Sequence, residues 1–115
     1  MKYSDEQRLE KICLTTEKLL NYLREANVTR EEILAEETIR WTITTPLYNI
    51  GEQVYYLSDA FKSQYPEIPW SKISGLRHRL VHDYENTNWS LICVILFESL
   101  PEFFEDVKKI AAENG

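Results

Sequence analysis

The sequence predicts an all-α fold, an antiparallel bundle of four main helices, and three observations predict it. Apolar residues recur at helical spacing over long stretches, most clearly in the series Ile39, Ile43, Leu47, Ile50, Val54, Leu57 and Phe61. Breakers are scarce: three glycines and four prolines in 115 residues favour a few long elements over many short ones. Strand-like alternation, internal repeats, Gly-rich loops and low-complexity runs are absent from the sequence.

The first helix is marked by Leu9, Ile12, Thr16, Leu19 and Leu23, with Ser4 as its candidate cap. Thr29 and Glu32 have the spacing of a capping box, so a short helix or helical turn is expected to start there. The long second helix is expected from about Glu37 to Ser63, kinked at Pro46, which lacks a donor and clashes with the preceding turn. A second stripe, Trp41, Tyr48 and Tyr55, steps by seven along another face and is assigned to core or dimer packing rather than to base stacking. The linker "YPEIPW" leads to a third helix through Ile73 and Leu76 to about His82, with Pro69 in its first turn. Thr87 or Asn88 can cap a fourth helix carrying Trp89, Ile92, Leu96, Phe103, Val107 and Ile110, with a second kink at Pro101.

At this length a single domain spanning residues 1–115 is expected. The formal net charge of -6 opposes long-range attraction to nucleic acids or anionic membranes, so any phosphate site must be local. Cys13 and Cys93 lie far apart in apolar runs and read as free thiols in a reducing compartment. The opening "MKYSDEQRLEKI" has no apolar core of signal-peptide length, and no run approaches the roughly 20 apolar residues of a membrane span. A cytoplasmic location without membrane contact is the expectation.

The stretch "SGLRHRLVHDY", residues 74–84, gathers two arginines, two histidines and a tyrosine in an acidic chain. On a continuous helix Arg77 and Tyr84 share a face, as do His78 and His82, whereas Arg77 and His82 stand about 140° apart. Three readings of the cluster remain open. It can be a solvated helix end whose cations offset the dipole and the acids Asp83 and Glu85. His78 and His82 can form a metal pair, although no glutamate intervenes and two arginines add positive charge. Or the cluster can act on an RNA phosphodiester, a guanidinium holding the phosphate while an imidazole exchanges a proton with the ribose 2′-hydroxyl or the leaving oxygen. That chemistry requires neither metal nor cofactor.

"GLRHRLVHDY" resembles the Arg-x4-His-x-Tyr motif of the HepT-like toxins of the HEPN superfamily. The likeness continues in order through "YNIGEQVYYLSDAF", similar to the family's Gly-Glu segment, "YPEIPWSKIS", similar to its proline-tryptophan approach, and "LPEFFEDVKKI", similar to its kinked last helix. Leu76 stands where methionine is common, a volume-conserving change, and Pro46 with several threonines replaces a more aliphatic pattern in the second helix. The resemblance implies a metal-independent ribonuclease in which Arg77 and His82 are catalytic and His78 fills a supporting polar position. It implies a homodimer with two motifs facing each other, which would resolve the 140° separation. It also implies a nucleotidyltransferase antitoxin that adenylylates Tyr84, setting phosphate charge against Arg77. Glu52 matches a family-like acid and receives no role from the resemblance. A non-catalytic helical module that grips a nucleotide or a protein partner through the same cluster is the alternative.

Overall fold

The computed structural model describes residues 3–81 and 84–114, and among these the chain is all-α. Helix α1 spans Asp5–Glu25, α2 Arg30–Ala35, α3 Glu37–Tyr55, α4 Asp59–Ser63, α5 Trp70–Ser74, α6 Leu76–Val81, α7 Trp89–Val94 and α8 Leu100–Asn114. A 3-10 turn covers Tyr84–Asn86, and a π-helical turn at Ile95–Ser99 joins α7 to α8.

The helix starts follow the sequence. Ser4 and Gln7 form a reciprocal capping box ahead of α1, and Thr29 and Glu32 form another ahead of α2. Each such cap contributes about 1 kcal/mol by satisfying donors that the first turn leaves open. Of the two candidates before α7, Asn88 is the cap, its side chain accepting from the Leu91 N–H at 3.1 Å.

The long helix is shorter than its periodicity implies. The helix α3 runs through Pro46 without a break but ends at Tyr55, and α4 begins afresh after Ser58. The break is fixed from outside: the Ser58 N–H and hydroxyl both donate to the Asp5 carboxylate, at 2.9 and 2.6 Å. Ser58 Oγ in turn accepts from the Phe61 N–H and caps α4.

Pro101 is accommodated by a change of helix type. A proline ring clashes with the carbonyl four residues back, here that of Phe97. The turn just before it widens, with the Leu100 N–H donating to the Ile95 carbonyl five residues earlier. The expected third helix is likewise divided, into α5 and α6 on either side of Gly75.

The core collects the predicted stripes: Leu9, Ile12, Leu19 and Leu23 of α1, Ile43, Leu47, Ile50 and Val54 of α3, Ile73, Leu76 and Leu80 of α5 and α6, and Phe103, Val107 and Ile110 of α8. Helix α1 packs on α3 and α8, and α3 also packs on α5 and α6. Trp70 fastens the start of the motif segment. Its indole N–H donates to the carbonyls of Lys62 and Tyr65, and its ring meets Phe103 edge-on at 5.9 Å. The aromatic stripe of α3 does not enter this core: Trp41 is 56% and Tyr55 50% exposed. No helix among the described residues is long and apolar enough to cross a membrane.

Candidate active site

Helix α6 is seated by Leu76 and Leu80, four residues apart on one face and both buried. Its close approach to α3 depends on Gly51. A Cβ there would lie 2.9 Å from the Arg77 backbone nitrogen, 3.1 Å from the Ile73 carbonyl oxygen and 3.3 Å from the Leu76 Cβ. Because position 51 has no side chain, the neighbouring residue Glu52 comes within reach of Arg77.

The guanidinium of Arg77 is held on two sides. Its Nε–H donates to Glu52 Oε1 at 2.7 Å, while Glu52 Oε2 accepts from the Tyr48 hydroxyl one turn earlier at 3.1 Å. The Tyr55 ring lies beneath the guanidinium carbon, 4.1 Å from centroid to Cζ, with the Tyr56 ring at 5.8 Å. Arg77 makes no further side-chain hydrogen bond among the described residues. Among the described residues both terminal amino groups therefore lack a hydrogen-bond partner, and a guanidinium offers them in the fork geometry that suits a phosphate.

The hydrogen bond to Glu52 raises the Arg77 pKa further above its ordinary value, and the same carboxylate raises that of the Tyr48 phenol. Near neutral pH the first is therefore a fixed cation and the second a neutral donor. About three-quarters of the side-chain surface of both Arg77 and Glu52 is covered, so the pair sits in a partly desolvated recess.

His78 lies on the exposed side of α6. His82, the other catalytic residue expected from the motif, lies outside the described residues together with Asp83, and the expected convergence of Arg77 with His82 falls there too. The metal-pair reading of His78 and His82 falls there for the same reason.

Tyr84 opens a 3-10 turn, Tyr84–Asn86, and the two residues that join it to α6 lie outside the described residues. The Tyr84 ring stands edge-on to Trp89 at 5.7 Å, and the Arg40 guanidinium covers Trp89 at 5.8 Å. Arg40 and Glu52 are twelve positions apart on α3, about 18 Å along the axis. The Tyr84 hydroxyl is moreover buried and without a hydrogen-bond partner among the described residues.

Sequence reasoning missed the partners of Arg77. Glu52 was visible as an acid without a role, and Tyr55 as part of a packing stripe. The available signal was the pair Gly51–Glu52: a residue that permits close helix contact, followed by one that can hold a cation.

Comparison with known proteins places the chain in a family. A family model described as ribonuclease HepT-like matches residues 7–110. The Methanocaldococcus jannaschii protein named "Putative RNase MJ1380" is 30% identical over 77 residues, 67% of this chain and 71% of that one. "Probable ribonuclease HepT" of Thermococcus cleftensis is 28% identical over 112 residues, 95% of this chain and 100% of that one. "Putative RNase TTE0752" of Caldanaerobacter subterraneus subsp. tengcongensis is 28% identical over 102 residues, 89% of each chain. No solved structure gives a significant match.

Proposed function

The chain belongs to the ribonuclease HepT-like family of the HEPN superfamily, and from that membership we propose that it is a metal-independent endoribonuclease, the toxin of a toxin-antitoxin pair acting in the cytoplasm. The observation that carries the reading is the Arg77 guanidinium, pinned at Nε by Glu52 and backed by Tyr55.

In the proposed reaction the RNA phosphate rests on the terminal amino groups of Arg77. The ribose 2′-oxygen attacks the adjacent phosphorus as its proton passes to a base, and the bond to the 5′-oxygen breaks as that oxygen gains a proton. The products are a 2′,3′-cyclic phosphate and a 5′-hydroxyl. His82 is assigned the proton transfer as general acid or base, Arg77 the charge that develops on the phosphoryl oxygens, and His78 a supporting polar contact. Glu52 is a positioning residue. It fixes the plane of the guanidinium without touching the phosphate.

Incubating the purified chain with single-stranded RNA in excess chelator tests the reading. Cleavage yielding cyclic-phosphate ends, and lost in His82→Ala, is the expected result. Cleavage that stops in chelator would replace this mechanism with a metal-dependent one.

A two-fold dimer is proposed to bring Arg77 and His82 of two motifs together, and the exposed Trp41 and Tyr55 on α3 supply apolar surface for such an interface. Light scattering at micromolar concentration should give twice the chain mass. A monomer that cleaves RNA would remove the shared site.

Tyr84 is proposed as the point of control. A nucleotidyltransferase partner with ATP and Mg²⁺ would join the phenol oxygen to the α-phosphorus, releasing pyrophosphate and the phenolic proton. With the hydroxyl buried, AMP cannot be added to the closed turn, so Tyr84–Asn86 must swing out first. Once charged and enlarged it cannot return. Inhibition then acts by displacing the segment that also carries His82, rather than by covering Arg77. Co-expression should raise the mass by one or more AMP units in the wild type and not in Tyr84→Phe. Adducts on Tyr84 that leave cleavage intact would remove it as a switch.

A further inference from the structure

Beyond Arg77 the surface carries a row in which rings and cations alternate. Arg77 covers Tyr55 at 4.1 Å and Tyr56 at 5.8 Å; the Arg8 guanidinium stands over the same Tyr56 ring at 5.1 Å and near Tyr3 at 5.6 Å; Lys11 covers Tyr3 at 4.5 Å. Three rings and three cations thus form an unbroken path from the motif helix across the end of α3 to the first turns of α1. All three rings are about half exposed, so the row is not part of the core.

The path is held in place. Arg8 donates to Gln53 Oε1 at 2.9 Å, which fixes it beside α3 next to Glu52. The clamp of Asp5 on Ser58 ties the start of α1 to the turn that follows Tyr56. At the far end Tyr3, Gln7, Glu10, Lys11 and Leu14 line an open depression of about 250 Å³.

We propose that this row is the track along which a single-stranded RNA leaves the cleavage site, its bases stacking on Tyr56 and Tyr3 and its phosphates paired with Arg8 and Lys11. The inference rests on the ribonuclease reading, of which it names the substrate subsites. Charge and ring chemistry favour this occupant. Guanidinium and ammonium groups resting on exposed rings are weakly held there, so a base can take the ring face while the cation moves to a phosphate. Two acids near the row are already engaged, Glu52 by Arg77 and Asp5 by Ser58, which leaves Glu10 beside Lys11 as the opposing charge lining the depression. In a chain with a net charge of -6, a local cation row is the form a phosphate path must take. A protein partner on the same surface would gain nothing from the alternation of ring and cation, whereas a nucleic acid strand repeats with that alternation.

The test is fluorescence anisotropy with a labelled, 2′-O-methylated RNA of about eight nucleotides, which cannot undergo 2′-hydroxyl attack, beside cleavage of an unmodified strand of the same sequence. Arg8→Ala and Lys11→Ala should each weaken binding several-fold and flatten its salt dependence by about 0.7 in logarithmic slope per lost phosphate contact. Tyr56→Ala should weaken it about fivefold or more. Arg24→Ala removes the same charge near the opposite end of α1 and should bind as wild type does. If Arg8→Ala and Lys11→Ala bind no worse than Arg24→Ala, the track is refuted, and the ribonuclease reading survives whenever the unmodified strand is cut. If binding follows the expected order but no strand is cut, the track stands and the ribonuclease reading falls. A wild-type chain that neither binds nor cuts overturns both.

Discussion

Replacing Arg77 with alanine should lower kcat/KM for RNA cleavage by about 10²- to 10³-fold, the range seen when a donor aimed at developing charge is removed. Stability should change by less than about 1 kcal/mol, because the pair with Glu52 lies near the surface and its Coulomb gain is offset by ordering two long side chains. Arg77→Lys should rescue little, since lysine has no Nε–H to donate to Glu52 and its ammonium presents no two-pronged fork. The Glu52 variants separate positioning from charge. Glu52→Gln keeps an oxygen for the Nε–H and should retain more activity than Glu52→Ala, with the loss appearing in kcat more than in KM. Steady-state cleavage of a labelled oligonucleotide, with thermal melts as the folding control, measures all four variants. An Arg77→Ala protein that cuts as fast as wild type would remove the guanidinium from the mechanism.

The second large effect is expected at Gly51, which touches no substrate. An added methyl meets backbone atoms of α5 and α6, not the movable end of a side chain, so the motif helix must shift away from α3. Overpacking of this kind costs about 1–3 kcal/mol. A shift approaching 1 Å in the seat of Arg77 can also cost about 10²-fold in rate. Gly51→Ala should therefore lose stability and activity together while keeping its helical circular dichroism, and Gly51→Val should lose more of each. Urea denaturation followed by cleavage assays reads both. Wild-type behaviour in Gly51→Ala would show that the helices can part without disturbing Arg77.

Local signals were legible in the sequence and distant ones were not. Ser4 formed the cap expected of it, and Thr29 with Glu32 formed the capping box their spacing implies, because such a box is complete within four residues. The end of α3 at Tyr55 could not be read from periodicity, which continues unbroken through Leu57 and Phe61. What stops the helix is Asp5, a residue far away in sequence that binds Ser58. The partnership of Glu52 with Arg77 is hidden in the same way, since it depends on how closely α3 and α6 approach at Gly51. The face shared by Tyr84 and Arg77 was read on the condition that one helix continues that far; Tyr84 itself belongs to a 3-10 turn, where its ring meets Trp89.

The clasp of Trp70 also gives the motif segment an optical label. Of the three tryptophans, Trp70 is shielded against Phe103, Trp89 is half-buried under Arg40, and Trp41 stands in solvent. Blue-edge emission therefore reports mainly on Trp70, and a small soluble quencher reaches mainly Trp41. Because Trp70 opens the segment that carries Arg77, the shielded component follows the docking of that segment on α8, and one emission spectrum distinguishes a detached motif from an unfolded chain.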